Sequence, residues 1–446
     1  MGALEATIPV ERWWRGPGPS DSSTLPADAD AEPNVYTKSH VQSIDIVRPK
    51  WRGYRAWFKN HSDPDDPFWK FGPDHIPYAE LEYPANGATE VYALVDAFDH
   101  DDYQPLKDLF LTIDTIATSY MDDDDRALIG YTSPALASPG DSPVRASPPP
   151  MSKDDPHSPG RSPSTAPSSP SRCAPELPLY RRLVKARNSR DGPLFIQALT
   201  SLNGYIRALR PKMQQHMRTK WTGIPPPVWK RVTEEGYQRG VGPRMNELGR
   251  YKQWTSGVYG ELMQPFISEV VHRSNLGPGK IFVDLGSGVA HTLMQASLQS
   301  GCTSYGIELS PPAASIAKDH EKEFNLRLEM WDLCCSDFKY TEGDMLDSKE
   351  VIEWISKADV ILVNNFVFEE LLNERLTCLF LDARDGTQIV SLKCFLDRGF
   401  KITERTISSP QAILRVEERD WTAGAVSWSN TTGMSREHVD RSSSLT

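Results

Sequence analysis

Several features are scarce in this chain of 446 residues, and each absence narrows its class. The six cysteines form no CxxC pair and no Cys/His pattern with metal-ligand spacing, so we expect no zinc or other metal site. Scattered cysteines in a chain of this length favour a reducing compartment. No apolar run is long enough to span a membrane, and the first residues lack the apolar core of a signal peptide. We therefore expect a soluble protein of the cytosol or nucleus that does not associate with membranes.

An overall positive charge is also absent, because 49 Lys and Arg stand against 60 Asp and Glu. The net charge of −11 does not favour polyanion binding by the molecule as a whole. The balance reverses between Glu176 and Arg231, where Glu176 and Asp191 are the only acids. Apolar residues from Phe195 to Leu209 recur at helical spacing and predict an amphipathic helix with a basic exterior. That exterior is either simply solvated or a polyanion contact, and the sequence leaves both open.

Composition divides the chain into four predicted parts. A Ser/Pro-rich stretch has almost no apolar side chains with which to offset the entropy of ordering, so it is predicted to be a disordered linker. The parts are 1–131, an N-terminal region that is partly disordered; 132–175, the linker; 176–275, a small helical and basic part; and 276–446, an α/β domain.

Two segments of the N-terminal region have interpretable patterns. Arg48–Phe58 interleaves basic and aromatic residues. Such a pattern is typical either of a strand with amphipathic side chains or of a segment that binds nucleic acid by stacking and charge. Tyr83–Tyr120 combines a strand pattern with a helix pattern and is expected to fold. The acidic run Asp122–Asp125 is predicted to be a solvated boundary.

From Lys280 onwards, apolar strands, turns and amphipathic helices alternate. The alternation predicts an α/β fold with a doubly wound, mostly parallel sheet. A helix is predicted over Gly260–Val271, before the first strand. We expect parallel strands in Lys280–Leu285, Thr303–Leu309, Tyr340–Leu346, Asp359–Asn365 and Gly386–Phe395, and antiparallel edge strands in Lys401–Ile407, Ala412–Glu418 and Ala425–Trp428.

The first predicted strand runs into Phe282–His291, "FVDLGSGVAH", which contains an acid and two glycines. Gly286 and Gly288 would let the backbone approach a ligand closely. The third glycine of a dinucleotide fingerprint is replaced by His291, which argues against a pyrophosphate loop. Glu308 ends the second predicted strand, about 20 residues after the glycine motif. An acid at that separation in the sequence can accept hydrogen bonds from both ribose hydroxyls of a bound nucleoside.

Polar residues also end the third and fourth predicted strands. Asp344 is placed to accept from an adenine amino group, with Met345 packed on the ring, and Asn364 follows the fourth strand. An acid before GxG and further polar residues at successive strand ends are typical of class I methyltransferases that use S-adenosyl-L-methionine. The alternative is a set of ordinary loop residues.

Longer motifs are more specific, and they occur in a fixed order: "VYGEL", "FVDLGSGV", "GIE", "GDM", "VNNFVF", "SLKCF" and "VSW". Together they resemble the disruptor-of-telomeric-silencing family of non-SET histone H3 lysine methyltransferases, in its fungal form. The resemblance covers residues from about 176 to 428 and, weakly, Tyr83–Tyr120. It implies a class I methyltransferase fold, S-adenosyl-L-methionine as cofactor, and a core lysine of histone H3 in nucleosomes as acceptor.

The resemblance also implies roles for individual residues. The cofactor-binding residues would be Tyr259, Gly260, Glu261, Leu262, Phe282, Val283, Asp284, Leu285, Gly286, Ser287, Gly288, Val289, Ala290, His291, Glu308, Asp344, Met345 and Asn364. The catalytic residues would be Asn364, Tyr259 and Glu261; the lysine channel would be lined by Phe366 and Trp428, with Phe368 equally consistent with core packing; and the nucleosome would be contacted by Arg181, Arg182, Lys185 and Arg187. The family further implies a nuclear, monomeric protein that contacts histone H3 and the DNA backbone, with roles in telomere and chromatin silencing, transcription and the DNA-damage checkpoint.

Two departures from the family pattern keep other functions open. Ala290 stands where the family usually has glycine, and Ser435 and Arg436 stand where it has a pair of channel tyrosines. The second departure favours, as an alternative, a chromatin module that binds the cofactor with weak or no catalysis. A methyltransferase for RNA is a third hypothesis, against which the "NNFVF" at the fourth strand argues, because nucleobase enzymes often carry a D/N-P-P-Y/F motif there.

Overall fold

The computed structural model describes residues 41–100, 102–131, 177–248, 262–397, 399–420 and 433–439, with the backbone alone for 419–420 and 433–439. The helices are α1 Ser43–Val47, α2 Pro105–Ser119, α3 Asp123–Ile129, α4 Leu179–Ser189, α5 Gly192–Lys220, α6 Pro226–Gly240, α7 Met245–Leu248, α8 Gln264–Arg273, α9 His291–Ser300, α10 Pro311–Met330, α11 Lys349–Lys357 and α12 Glu370–Leu379. The strands are β1 Tyr54–Ala56, β2 Tyr78–Glu82, β3 Thr89–Ala93, β4 Val95–Ala97, β5 Ile281–Leu285, β6 Thr303–Glu308, β7 Phe338–Glu342, β8 Val360–Val363, β9 Gln388–Ser391, β10 Leu414–Asp420 and β11 Gly433–Val439.

Seven of these strands form one sheet in the order β10-β11-β9-β8-β5-β6-β7. The five strands from β9 to β7 are parallel, and β11 is antiparallel to both of its neighbours. The predicted doubly wound, mostly parallel α/β sheet is therefore confirmed. The order reverses at β5, since β6 and β7 lie on one side of it and β8 and β9 on the other. Such a reversal opens a crevice at the carboxyl ends of the strands.

Strand β8 is entirely apolar, and β5 is apolar except for Asp284, as is expected of strands in a sheet that is covered on both faces. Phe282 and Leu362 belong to one hydrophobic cluster, whereas Val283 and Ile361 belong to another. Neighbouring residues along a strand therefore fill opposite cores, as the two-residue period of a strand requires. The first cluster also contains Tyr83 of the N-terminal region. Three of the four parts predicted from composition contribute to this cluster, namely the N-terminal region, the helical part and the α/β part, so they pack against one another.

A buried ionic cluster holds the N-terminal region against the α/β part. Glu90 of β3 accepts hydrogen bonds from Arg239 of α6 and Arg327 of α10, each at 2.6 Å. Asp108 of α2 pairs with Arg239 at 2.6 Å and also with Arg231. All five side chains are at most 2% exposed. Burying charges is favourable only when each is paired and hydrogen-bonded, which is the case for these.

The structure differs from the sequence-based expectations at several places, among them Arg48–Gly53, which forms a 3-10 helix rather than part of a strand. Lys401–Ile407 forms turns rather than an edge strand, because the Thr406 hydroxyl bonds locally to the Lys401 carbonyl at 2.5 Å and to the Thr403 amide at 2.8 Å. Such local bonds compete with a ladder. The run Asp122–Asp125 is not simply solvated, since Asp122 caps α3 and Asp125 is buried beside Lys212 at 2.8 Å. Strand β11 was not anticipated.

The predicted edge strand around Ala412–Glu418 is present as β10. The predicted helix over Gly260–Val271 is described from Gln264 onwards as α8. Ala425–Trp428 lies outside the described residues. No helix in the described part of the chain is long and apolar enough to cross a membrane.

Candidate active site

A cavity of about 490 Å³ opens at the carboxyl ends of β5, β6 and β8, where the strand order reverses. This is the size of a small-molecule site. Its lining residues are Leu262, Asp284, Leu285, Gly286, Ser287, Gly288, His291, Thr292, Glu308, Leu309, Ser310, Pro311, Asp344, Met345, Leu346, Asn364, Phe368, Leu372 and Arg375.

The glycine turn after β5 crosses onto the neighbouring strand. The amides of Gly286 and Ser287 both donate to the Ile307 carbonyl at 2.9 Å. Gly286 has a φ of +98°, which only glycine adopts without strain, and a Cβ added to it would meet no atom within 4 Å. The turn therefore presents bare backbone to open space in the cavity.

Glu308, at the end of β6, is held by backbone donors on two sides. Its Oε2 accepts from the Gly288 amide at 2.8 Å, and its Oε1 accepts from the Ser310 amide at 2.7 Å. Burial raises the pKa of the Glu308 carboxyl above its ordinary value, and these two amides partly offset the effect. A carboxylate has about four acceptor positions, so both oxygens retain capacity for hydroxyl donors of a ligand.

Asp284, at the end of β5, is only 2% exposed. Its Oδ2 accepts a hydrogen bond from the Thr292 hydroxyl at the start of α9. Burial raises the pKa of the Asp284 carboxyl to about 7, although the Thr292 hydrogen bond lowers it. The residue therefore ties the strand to the helix across the glycine turn, and a buried carboxyl with a raised pKa is a frequent property of functional sites.

The two asparagines after β8 have different environments. Asn365 is fully buried, and its Oδ1 accepts from the amides of Leu392 and Lys393 at 3.0 and 2.8 Å. Its Nδ2 donates to the Lys393 carbonyl at 2.9 Å. Asn364 is half-buried and lines the cavity. Because Asn365 fixes the backbone on this side of the sheet, the preceding side chain is held at the cavity wall.

The loop after β7 supplies Asp344 and Met345. The strand ends at Glu342, two residues earlier than the acid, and the Asp344 Oδ1 accepts from the Leu346 amide at 2.9 Å. This Asx-type bond turns the chain toward the cavity. Met345 is half-buried against the second hydrophobic cluster. Both residues line the cavity, as their position in the sequence had suggested.

Four residues of the expected cofactor motif lie behind the cavity wall. Phe282, Val283, Val289 and Ala290 are fully buried in hydrophobic clusters and do not line the cavity. A strand alternates its side chains between the two covered faces, so residues inside it cannot all face its carboxyl end. Ala290 is the N-cap of α9 with a φ of 61°, the left-handed region that favours glycine.

The predicted lysine-channel residues are only partly described. Phe366 is 41% exposed outside the cavity lining, and the Lys393 Nζ lies 5.8 Å from its ring centroid. Phe368 does line the cavity. Ser435 and Arg436 lie within β11, where their backbones pair with Ser391 and Val390 of β9. Tyr259, Gly260, Glu261 and Trp428 fall outside the described residues.

Sequence reasoning missed several residues of the lining. One signal was available, because Ser310 followed by two prolines is a helix start, and it places Ser310 and Pro311 beside Glu308. For α12 no motif pointed to the cavity. The unpredicted residues are Thr292, Leu309, Ser310, Pro311, Leu346, Leu372 and Arg375.

The basic segment is less uniformly exposed than its sequence suggested. Arg207 and Arg210 of α5 both pair with Glu82, at 2.6 Å for Arg207. On α4, Arg181 and Lys185 are exposed, whereas the Arg187 guanidinium lies 4.5 Å from the ring centroid of Phe110. Arg182 is half-buried. The basic exterior expected for α5 is therefore partly neutralised by ion pairs, whereas Arg181 and Lys185 of α4 are exposed.

Comparison with known proteins identifies the family. The model described as "Histone methylation protein DOT1" matches residues 237–435. An Aspergillus fumigatus protein named "Histone-lysine N-methyltransferase, H3 lysine-79 specific" is 30% identical over 91% of this chain and 70% of its own length. The chain belongs to the DOT1 family of histone methylation proteins.

Two further members of the DOT1 family carry the same name. The Mycosarcoma maydis protein is 44% identical over 59% of this chain and 34% of its own length. The Cryptococcus neoformans var. neoformans protein is 34% identical over 85% of this chain and 63% of its own length. The chain thus spans between a third and 70% of the length of these relatives.

Among solved structures, an RNA methyltransferase from Salinibacter ruber in complex with S-adenosyl-L-homocysteine is 19% identical over 42% of this chain and 97% of that chain, with a TM-score of 0.29. A TM-score this low supports no conclusion, and the fold of this DOT1-family chain rests on its own strand order.

Proposed function

We propose that this chain transfers methyl groups from S-adenosyl-L-methionine to the side-chain amine of a core lysine of histone H3 in nucleosomes, the lysine-79 in the names of its relatives. Family membership supports the reaction class. The observation that carries the proposal is Glu308, whose carboxylate is bonded to the Gly288 amide and lines the cavity at the strand reversal.

The cavity residues fit the proposed cofactor. Glu308 would hold the ribose hydroxyls with its remaining acceptor positions, and Asp344 and Met345 would hold the adenine. Bare backbone at Gly286 leaves room for the ligand beside the turn. The segment Tyr259–Leu262 would cover the methionine part. When bound, the cofactor supplies the methyl group as a sulfonium electrophile.

Within this proposal, the protein contributes positioning more than proton transfer. In-line displacement gains most from holding the reacting groups in line, a role that we assign to Asn364 at the cavity wall. The acceptor lysine must lose a proton from a reference pKa of about 10.4, and apolar walls such as Phe368 and Leu372 would lower that pKa by desolvation. Solvent would take the proton.

The remaining roles follow from the family. Phe366 and Trp428 would border the lysine channel, and Tyr259 and Glu261 would complete the catalytic residues. Arg181, Arg182, Lys185 and Arg187 of α4 would contact the nucleosome. The proposed protein is nuclear and monomeric, and it serves chromatin and telomere silencing, transcription and the DNA-damage checkpoint.

The test is transfer of label from isotopically labelled cofactor to intact nucleosomes, to free histone H3 and to RNA. We expect label in histone H3 of nucleosomes only. Glu308→Ala should weaken cofactor binding by about tenfold or more, since two charge-assisted contacts at the ligand are lost. The matched control is Glu342→Ala, an exposed acid in register with Glu308 on β7.

Asn364→Ala should reduce methyl transfer much more than it weakens cofactor binding. Asn325→Ala, at a half-buried asparagine of α10 outside the cavity lining, is its control. Wild-type transfer by Asn364→Ala would contradict the assigned role. Cofactor binding without any transfer by the native chain would favour the non-catalytic chromatin module that Ser435 and Arg436 suggest, and labelled RNA would favour the third hypothesis.

A further inference from the structure

His320 of α10 is a buried imidazole to which the proposed reaction assigns no role. It is 1% exposed, and its Nδ1 lies 2.9 Å from the carbonyl oxygen of Val289 in the glycine turn. Because a carbonyl oxygen only accepts, the proton of this hydrogen bond is on Nδ1. Burial lowers the pKa of the His320 imidazole to about 4, although the Val289 hydrogen bond opposes this effect. At neutral pH the ring is therefore uncharged, with Nδ1 as its donor.

Nε2, the other ring nitrogen of His320, is buried and has no hydrogen-bond partner among the described residues. The ring packs edge-to-face against Tyr237 of α6, with the centroids 5.8 Å apart, and Tyr237 packs against the hydrophobic cluster that contains Val289 and Ile316. A buried nitrogen without a partner is unfavourable, and an apolar residue would fill this space without that cost. The reason for a histidine here is therefore the hydrogen bond from Nδ1.

The Val289 carbonyl needs this donor because of the turn that contains it. Gly288 and Ala290 on either side have φ values of 54° and 61°, both in the left-handed region. No backbone amide of the described residues donates to the Val289 carbonyl, so its hydrogen bond comes from His320. The Ala290 amide of the same peptide unit donates to the Ser287 carbonyl at 2.8 Å and closes the turn. His320 and Ser287 thus hold the two polar ends of one peptide plane.

This peptide plane adjoins the groups proposed to receive the ribose. The Gly288 amide donates to the Glu308 Oε2 at 2.8 Å, and the Glu308 Oε1 accepts from the Ser310 amide at 2.7 Å. Ser310 is the N-cap of α10, the helix that carries His320. Helix α10 therefore fixes Glu308 directly through Ser310 and fixes the glycine turn through His320.

The position of His320 is set by a close approach of α6 to α10. A Cβ added to Gly240 would lie 2.5 Å from the His320 Cα, and one added to Gly236 would lie 3.2 Å from the Phe324 Cα. A side chain at Gly240 would therefore displace the backbone of His320. Because both helices are closely packed here, the imidazole is held in place before any ligand binds.

We propose that His320 is a positioning residue for the cofactor: its Nδ1–H fixes the Val289 carbonyl, and through the turn it keeps the Gly288 amide and the Glu308 carboxylate in the geometry that receives the ribose hydroxyls. His320 lies behind the cavity lining, so it acts only through the turn. The identity of the cofactor rests on the proposed function.

The test compares two replacements of almost the same size and branching, His320→Asn and His320→Leu, in the full chain. The amide nitrogen of asparagine is the same number of bonds from Cα as Nδ1 of histidine, so it can donate to the Val289 carbonyl, whereas leucine cannot. Isothermal titration with S-adenosyl-L-methionine gives the dissociation constant, and thermal unfolding shows that each variant is folded. His272→Leu, at an exposed histidine of α8, is the control.

His320→Leu should weaken cofactor binding by about tenfold, whereas His320→Asn should stay within about threefold of the wild type and His272→Leu should bind as the wild type does. In the Glu308→Ala background, His320→Leu should change the affinity by less than about twofold, because both substitutions act on the same contact. Equal affinities of His320→Leu and His320→Asn would overturn the positioning role. Additive effects of His320→Leu and Glu308→Ala would also overturn it.

A second measurement uses the native chain and does not depend on the folding of the leucine variant. The proton–nitrogen correlation spectrum of isotope-labelled histidine side chains, with the His320 signal assigned by its loss in His320→Asn, should show an uncharged ring protonated on Nδ1 at neutral pH. A proton on Nε2 would overturn the proposal.

Failure of the proposed function gives a different result from failure of the role of His320. A native chain that does not bind S-adenosyl-L-methionine would reject the proposed function and the role of His320 with it. Cofactor binding that depends on Glu308 but not on the His320 donor would reject the role of His320 alone.

Discussion

The imidazole of His291 donates a hydrogen bond from Nε2 to the carbonyl oxygen of Leu262, across 2.8 Å. Leu262 is the last residue of Tyr259–Leu262, the segment proposed to cover the cofactor, and both His291 and Leu262 line the cavity. His291 was assigned from the sequence as a cofactor contact. The hydrogen bond gives it a second role, since it anchors the end of the covering segment to the first turn of α9.

We expect His291→Ala to weaken cofactor binding by about tenfold, the value of one hydrogen bond of about 1.4 kcal/mol. His291→Gln should restore most of the affinity, because a glutamine amide also donates. Isothermal titration with the cofactor measures both constants. Equal affinity of His291→Ala and the wild type would exclude the anchoring role.

Asp284 makes stability depend on pH in a predictable direction. Its carboxyl has a pKa of about 7 in the folded protein against an ordinary value of 3.8, because it is buried. Between about pH 4 and pH 7, the Asp284 carboxyl is protonated in the folded protein but ionised in the unfolded chain. Protonation of Asp284 therefore stabilises the folded state at low pH, and this stabilisation is lost as pH rises from about 4 to 7. Asp284→Asn removes the titration.

As pH rises from about 4 to 7, the unfolding free energy of Asp284→Asn should therefore increase relative to that of the wild type. The change should reach up to about 4 kcal/mol, which corresponds to about three pKa units. Denaturant unfolding at several pH values measures the difference, in which the other titrating groups cancel. Asp347→Asn, at an exposed loop acid, should show no such gain. A difference for Asp284→Asn that stays constant with pH would contradict the prediction.

Ala290 and Ala296 provide a matched pair, since both are fully buried in the main hydrophobic cluster. Ala290 has a φ of 61°, where an alanine costs about 1–2 kcal/mol and a glycine does not. Ala296 lies inside α9, where glycine costs about 1 kcal/mol relative to alanine. Ala290→Gly should thus be less destabilising than Ala296→Gly by about 2–3 kcal/mol in chemical denaturation. Equal losses would show that Ala290 is not strained.

Glu90 is the carboxylate that links three parts of the fold. It accepts from the Ser43 amide at 3.1 Å and the Tyr83 hydroxyl at 2.9 Å in addition to its two arginines. Burial alone would raise the pKa of the Glu90 carboxyl, but the positive charges of Arg239 and Arg327 hold that pKa well below its usual range.

Glu90→Gln leaves buried arginine charge without its partner, which typically costs about 3–5 kcal/mol. A large fall in the midpoint of thermal unfolding is the expected result, and Glu80→Gln, at an exposed acid of the neighbouring strand β2, is the control. Similar midpoints for the two variants would mean that the ionic cluster contributes little.

The sequence by itself determined the parallel strands and the polar residues that end them. Val360–Val363 is apolar because both faces of its sheet are covered, and Gly286, Glu308, Asp344 and Asn364 follow successive strands. Parallel strands bring such residues to one edge whatever the details of packing, so a local pattern was enough. The start of α10 could also be predicted, because Ser310 followed by two prolines is a pattern typical of a helix start.

Only the tertiary structure decided which charges are available and which chain segments meet. Lys59 and Arg190 lie together because backbone hydrogen bonds join segments that are distant in sequence, and Arg231 is buried because Asp108 lies opposite it. The placement of Leu372 and Arg375 at the cavity likewise depends on how α12 packs. Long-range pairing depends on shape and on the free energy of burial across the whole fold, and a local residue pattern contains neither.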